Sequence, residues 1–199
     1  MTTYKGINHI AFATNDMDKT IRFWRDLLGL RLIAGHGGPG HRQYFFMIAE
    51  KCYISFFEWP DVKPVDDKDP GRPYKGPLSL DHICISIAHE DELWALKDRL
   101  EAADIWVTEV LDHGFIHSFF STDPNNIQLE FCHELSDIEL GETPRMVDTE
   151  PTNAAIEGPE PRSDLWPSVK NTTPPDQRKT YEGPLKVIFT GNNKWQDTS

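Results

Sequence analysis

Cysteine is scarce in this 199-residue chain, and the three present, Cys52, Cys84 and Cys132, are an odd number. Each lies within an apolar, strand-like run. They read as reduced thiols used as small hydrophobes rather than as a disulfide framework. Basic residues are also few: 20 Lys and Arg stand against 32 Asp and Glu, for a net charge of -12. Such acidity repels phosphate backbones and argues against a nucleic-acid partner. No apolar run approaches the roughly 20 residues that span a bilayer, which argues against a membrane partner. The opening MTTYKGINHIAFATNDMD lacks a basic start followed by an apolar stretch, so no secretory signal is read and the expected location is cytoplasmic. The glycine-rich HGGPGH at 36–41 lacks the Lys-Ser/Thr ending and following helix of a phosphate loop.

What the chain has is a repeat. With 38% hydrophobic and 11% aromatic residues it can fold without staples. INHIAFATNDMDKTIRFWRDLLGLRL from Ile7 and LDHICISIAHEDELWALKDRLEAADIWV from Leu80 share an order: a polar residue and His in an apolar run, an acidic segment, then a helical pattern. His9 and His82 are 73 positions apart; Glu58, after YISFF, and Glu130, in NIQLEF, are 72 apart. Each unit reads strand, helix, strand, strand, strand. In the first, strands are expected at 7–13, 30–34, 43–48 and 52–59. Its helix is capped by Asn15 or Asp16, carries Ile21, Trp24, Leu27 and Leu28 inward and closes at Gly29. In the second, strands are expected at 80–87, 106–110, 116–121 and 127–132. Its helix at 90–103 turns Leu93, Leu96 and Leu100 inward, and a tight turn spans 123–126. The organisation expected is a first βαβββ module at 1–60, a proline-rich linker at 61–79, a second module at 80–133 and an extended tail at 134–199. The tail holds eight of the fifteen prolines and one strand candidate, 185–190. Its apolar anchors, among them Leu165, Trp166, Tyr181, Phe189 and Trp195, are expected to dock along the sheet or on a partner subunit.

Strand alternation suggests which residues carry chemistry. His9 shares a face with Ala11, His82 with Cys84 and Ser86, and Glu130 with Gln128, all opposite the helix; Glu58 goes with Phe56 and Ile54 and is assigned to the same face. A desolvated carboxylate must be paired, protonated or metal-bound. Two imidazoles with one or two carboxylates suit a divalent transition metal. His9, His82, Glu130 and Glu58 are therefore the candidate ligands. His117 is the candidate acid–base or substrate-contacting residue. Phe46, Phe56 and Phe119, or their neighbours Phe45 and Phe120, are expected to line the hollow.

NHIAF, FFEW, DHICISI and above all DHGFIHSFFSTDPNNIQLEF resemble the vicinal oxygen chelate superfamily, which includes glyoxalases, bleomycin-resistance proteins and extradiol dioxygenases. The likeness covers residues 5–133. It implies an α+β fold in which two paired βαβββ modules form a cupped mixed sheet around a divalent metal, with the proline-rich tail outside it. It also implies a small-molecule substrate and a homodimer. The two-His-one-carboxylate set favours Fe(II), with Zn, Ni or Mn as other metals, and hence an extradiol-type dioxygenase, a metal-dependent oxidoreductase acting on a catechol-like diol. The competing readings are a glyoxalase I-like lyase or isomerase with a four-ligand Zn or Ni site that uses Glu58, and a metal-free protein that sequesters small molecules.

Overall fold

The computed structural model describes residues 3–75, 80–135, 141–162 and 165–195. Residues 76–79 of the expected linker, and 136–140, 163–164 and 196–199 of the expected tail, lie outside them. The fold is α+β, built from two open four-stranded mixed sheets with one main helical segment each. The first module runs β1 (His9–Thr14), α1 (Met17–Ile21), β2 (Arg31–Gly38), β3 (His41–Ala49), β4 (Cys52–Glu58). The second runs β5 (Ile83–Ser86), α2 (Glu90–Ala102), β6 (Leu111–Asp112), β7 (Ile116–Thr122), β8 (Gln128–Glu134). The strand orders, β1-β4-β3-β2 and β5-β8-β7-β6, are the same. In each sheet the first and last strands of the module pair in parallel and the remaining pairs are antiparallel. The paired βαβββ organisation is thus realised as two separately hydrogen-bonded sheets.

Local chemistry explains most elements. Asp16 caps α1, its carboxylate accepting from Lys19 N at 2.9 Å. The segment Arg22–Leu27 then widens into a π-helical stretch, closed by Leu28 N donating to Phe23 O, with Gly29 at φ +80° just beyond. Glu90, Asp91 and Glu92 place negative charge at the N-terminus of α2, where the helix dipole favours it. Two expected strands are absent. At 106–110 the pairing is reduced to Val107 bridging to Ser121 and Thr108 N donating to Phe120 O, with hydroxyls taking neighbouring places: Thr108 Oγ1 accepts from Phe120 N and Ser121 Oγ donates to Trp106 O. At 185–190 the chain forms a 3₁₀ turn (Pro184–Lys186) and a helical turn (Val187–Thr190) beside β2 instead of a strand.

The helix-side faces of both sheets are spent on one core. Trp24, Phe46, Ile54 and Phe56 of the first module cluster with Leu93, Leu100, Phe119, Leu129 and Phe131 of the second. At roughly 150–250 Å² per aromatic ring, these side chains dominate the apolar area removed from water. A buried polar link rivets the modules. Trp24 Nε1 donates to Asp123 Oδ2 at 3.2 Å, and Asn125 Nδ2 donates to Asp123 Oδ2 at 3.0 Å and to Thr20 Oγ1 at 3.4 Å. Burial pushes the Asp123 carboxyl above its ordinary value, and these donors pull it back down.

By backbone proximity the chain falls into two units: Met1–Leu135 with Leu185–Ser199, and Ser136–Pro184. The second contains a short helix, α3 (Asn153–Ile156), capped by Thr152, and none of its described residues is buried. Of the expected tail anchors, Leu165, Trp166, Tyr181, Val187, Phe189 and Trp195 stay exposed, whereas Ile188 is half-buried. Among the described residues, no helix is long and apolar enough to cross a membrane.

Candidate metal centre

His82 immediately precedes β5, which among the described residues is an edge strand paired to β8 alone. Cys84 pairs with Glu130, so alternation brings His82, Cys84, Gln128 and Glu130 to one face, opposite the core residues Ile83, Leu129 and Phe131. There His82 Nε2 lies 3.2 Å from Glu130 Oε2. The other ring nitrogen, Nδ1, donates to Asp81 Oδ1 at 2.7 Å. A carboxylate can only accept, so Nδ1 carries a proton, and Nε2 is the ring atom turned toward Glu130. A proton or a metal cation between Nε2 and the carboxylate satisfies both groups. A separation near 3 Å is that of neighbouring ligands on one cation with bonds of about 2.1 Å. The donor set therefore fits a divalent metal, and Asp81 supplies the orienting carboxylate that metal-bound imidazoles ordinarily have. The imidazole N–H first, then Gly71 N–H, and Lys68 as well, hold Asp81 below its ordinary value. Phe120, which pairs with Glu130 across β7–β8, presents its ring edge-on to His82 at 5.3 Å. The Cys84 thiol beside them is pushed up, chiefly by its hydrogen bond with Cys132 and also by Glu130.

His9 repeats half of this arrangement on the first sheet. Its Nδ1 donates to Asn8 Oδ1 at 2.9 Å, leaving Nε2 available, and its ring packs against Phe45 at 5.9 Å. The Asx residue before each histidine is the orienting partner in both modules. Sequence reasoning noted a polar residue there without giving it this role. His9 does not join the His82–Glu130 pair within the chain: among the described residues, no three His, Cys, Asp or Glu side chains are grouped closely enough to hold a metal.

Two expected site residues lie elsewhere. Glu58 shares its face with Ile54 and Phe56, and those are core residues, so it stands on the helix side of the first sheet, opposite His9. There it is a structural clip. Its carboxylate pairs with Arg42 Nε at 2.9 Å and accepts from Gly40 N at 3.1 Å and from Met17 N at 3.4 Å. By register, His9 corresponds to His82 and Ser55, not Glu58, corresponds to Glu130. Ser55 is fully buried and accepts from Gln43 Nε2 at 3.2 Å. His117 shares its face with the core residue Phe119 and pairs through Nδ1 with Glu90 Oε1 at 2.8 Å, at the start of α2. It therefore does not line the His82–Glu130 face. Of the aromatics expected there, Phe45 and Phe120 face the histidines, while Phe46, Phe56 and Phe119 are in the core.

The model of the Glyoxalase/Bleomycin resistance protein/Dioxygenase superfamily matches residues 6–131. An iron-dependent extradiol dioxygenase of Rhodococcus jostii (strain RHA1) is 22% identical over 142 residues, covering 70% of this chain and 46% of that protein, so the chain spans about half its length. The glutathione transferase FosA of Serratia marcescens is 28% identical over 130 residues, covering 63% of this chain and 79% of that one. The crystal structure of a glyoxylase/bleomycin resistance protein/dioxygenase domain from Frankia sp. EAN1pec superposes with a TM-score of 0.56 at 21% identity, over 67% of this chain and all of that one. With a family model covering well over half of its length and the same paired βαβββ architecture, the chain belongs to the Glyoxalase/Bleomycin resistance protein/Dioxygenase superfamily.

Proposed function

We propose that this protein is a divalent-metal-dependent enzyme of the vicinal oxygen chelate type, with His9, His82 and Glu130 as its protein ligands. The observation that carries the reading is the 3.2 Å approach of His82 Nε2 to Glu130 Oε2, with Nδ1 committed to Asp81. His9 comes from a second copy of the chain, so the working unit is a homodimer with its sites shared between subunits. Both β1 and β5 are edge strands, open to such a neighbour.

Two imidazoles and one carboxylate favour Fe(II) and an extradiol-type dioxygenase acting on a catechol-like diol. When bound, the metal supplies Lewis acidity and a template for two adjacent substrate oxygens. The chain's own residues orient and enclose. Asp81 and Asn8 fix the imidazole tautomers, and Phe45 and Phe120 offer aromatic walls suited to a flat substrate. The four-ligand lyase or isomerase reading loses its fourth ligand, because Glu58 faces the core side and is held by Arg42. Oxygen consumption with a panel of catechols, after anaerobic Fe(II) loading, tests the proposal. Uptake abolished by His82→Ala is the expected result. Stoichiometric metal with uptake equal to buffer across the panel would remove the dioxygenase and leave another chemistry of the same centre.

A further inference from the structure

A pocket of about 380 Å³ opens on the second sheet, walled by linker residues 67–69 together with Trp106, Thr122, Asn126 and Gln128. Its position follows from register. Gln128 pairs with Thr122 and lies two residues before Glu130 on the same face of β8, roughly 7 Å along the strand. The linker is laced over this end of the sheet. Val65 N donates to Asn125 O, and Asn126 Nδ2 donates to Val65 O at 3.0 Å and to Asp67 Oδ1 at 2.8 Å.

The walls are rich in acceptors and short of donors. Asp67 and Asp69 contribute two carboxylates, and Thr122 a hydroxyl. The one cation in the lining, Lys68, has its ammonium turned to Leu80 O at 2.8 Å and Asp81 Oδ2 at 3.5 Å. The Asn126 amide donor is already committed. Gln128 is 4% exposed, and its Oε1 has no hydrogen-bond partner among the described residues. A buried amide oxygen left unpaired is unusual and marks a place where a donor is missing. Trp106, half-exposed, offers a flat indole face, which attracts cations through its quadrupole.

We propose that this pocket binds the ammonium-bearing end of a small organic molecule, with the carboxylates of Asp67 and Asp69 neutralising it, Gln128 Oε1 accepting one of its N–H groups and Trp106 covering its apolar stem. This deepens the proposed function and rests on it in one respect: the other end of such a molecule would reach the His82–Glu130 pair, which makes the substrate an amine-bearing compound.

Metal-stripped protein separates the two readings, since the pocket needs no metal. Benzylammonium is titrated and followed by the NMR signals of the Trp106 indole N–H and the Gln128 carboxamide, with benzyl alcohol and benzoate as neutral and anionic counterparts. The expected result is saturable shifts of both signals with benzylammonium, affinity at least about fivefold weaker for the alcohol, and no binding of benzoate. Asp69→Asn and Trp106→Ala should each weaken benzylammonium several-fold. Both positions are solvent-exposed, so the fold is expected to survive; Gln128→Met provides a third variant that keeps the buried volume. Equal binding of benzoate, or affinity unchanged in all three variants, would overturn the pocket and leave the metal centre standing. Displacement of benzylammonium by equimolar Mg²⁺ would also overturn it, by making the carboxylates an inorganic cation site.

Discussion

Asp81 is the residue whose replacement best separates a metal-binding imidazole from one held merely in a hydrogen bond. Removing His82 or Glu130 deletes a donor; His82→Ala and Glu130→Ala are expected to abolish stoichiometric Fe(II) or Zn(II) binding, measured by calorimetry and elemental analysis. Asp81→Asn keeps both donors and loses only the orienting charge, so metal should still bind one per site, with affinity down about 10–100-fold. An unchanged affinity would mean that Asp81 merely caps the linker through Gly71. Glu58 is the contrasting carboxylate. Glu58→Gln is expected to leave metal content untouched while costing about 1–3 kcal/mol of stability, because Arg42 and two backbone N–H groups lose a charged acceptor in a largely buried setting. Urea unfolding with and without metal distinguishes the two effects.

At the scale of elements, strand parity decides what the sequence could disclose. The order strand, helix, strand, strand, strand was legible twice over, because apolar periods of 2 and 3.6 and the capping residues agree with one another. The shared face of His82 and Glu130 was legible for the same reason. Glu58 was misassigned because the near-equal His-to-Glu separations, 49 and 48 residues, count positions and ignore faces, and a slip of one residue in a strand carries a side chain through the sheet. Its grouping with Ile54 and Phe56 was visible, but only the core contacts of those two reveal that theirs is the greasy face. His117 was misplaced by the same ambiguity. The 123–126 turn looked merely local; its second role, accepting from Trp24 across 99 residues, has no local signature. That link has a pH signature. Because burial raises Asp123, its ionisation in the folded state costs stability as pH rises from the ordinary carboxylate range, about 4, through the raised value. The Trp24 indole N–H favours the ionised form, so Trp24→Phe should cost about 1–3 kcal/mol and more at pH 7 than at pH 4. Chemical denaturation at both values checks this; a pH-independent loss would assign the whole effect to packing.

At the scale of the molecule, the decisive fact is that three donors on two sheets do not meet within one chain. Both sheets spend their helix-side faces on the shared core. Complementation tests the shared site directly. His9→Ala and Glu130→Ala subunits should each be metal-free alone. Mixed and allowed to exchange, they should recover up to one intact site per heterodimer, seen as metal bound per dimer and as oxygen uptake. No recovery despite subunit exchange would overturn the shared site. The tail aromatics Trp166, at 79%, and Tyr181, at 88%, are exposed.

Ser55 carries a consequence of its own. It occupies the register position that Glu130 holds in the other sheet, two residues along from the partner of His9. A hydroxyl there spares the first half of the repeat a second buried anion, so the two sheets match in backbone register and differ in chemistry. A carboxylate at Ser55, and not at the glutamate three positions further on, is what would let the first sheet offer the proposed centre a fourth ligand.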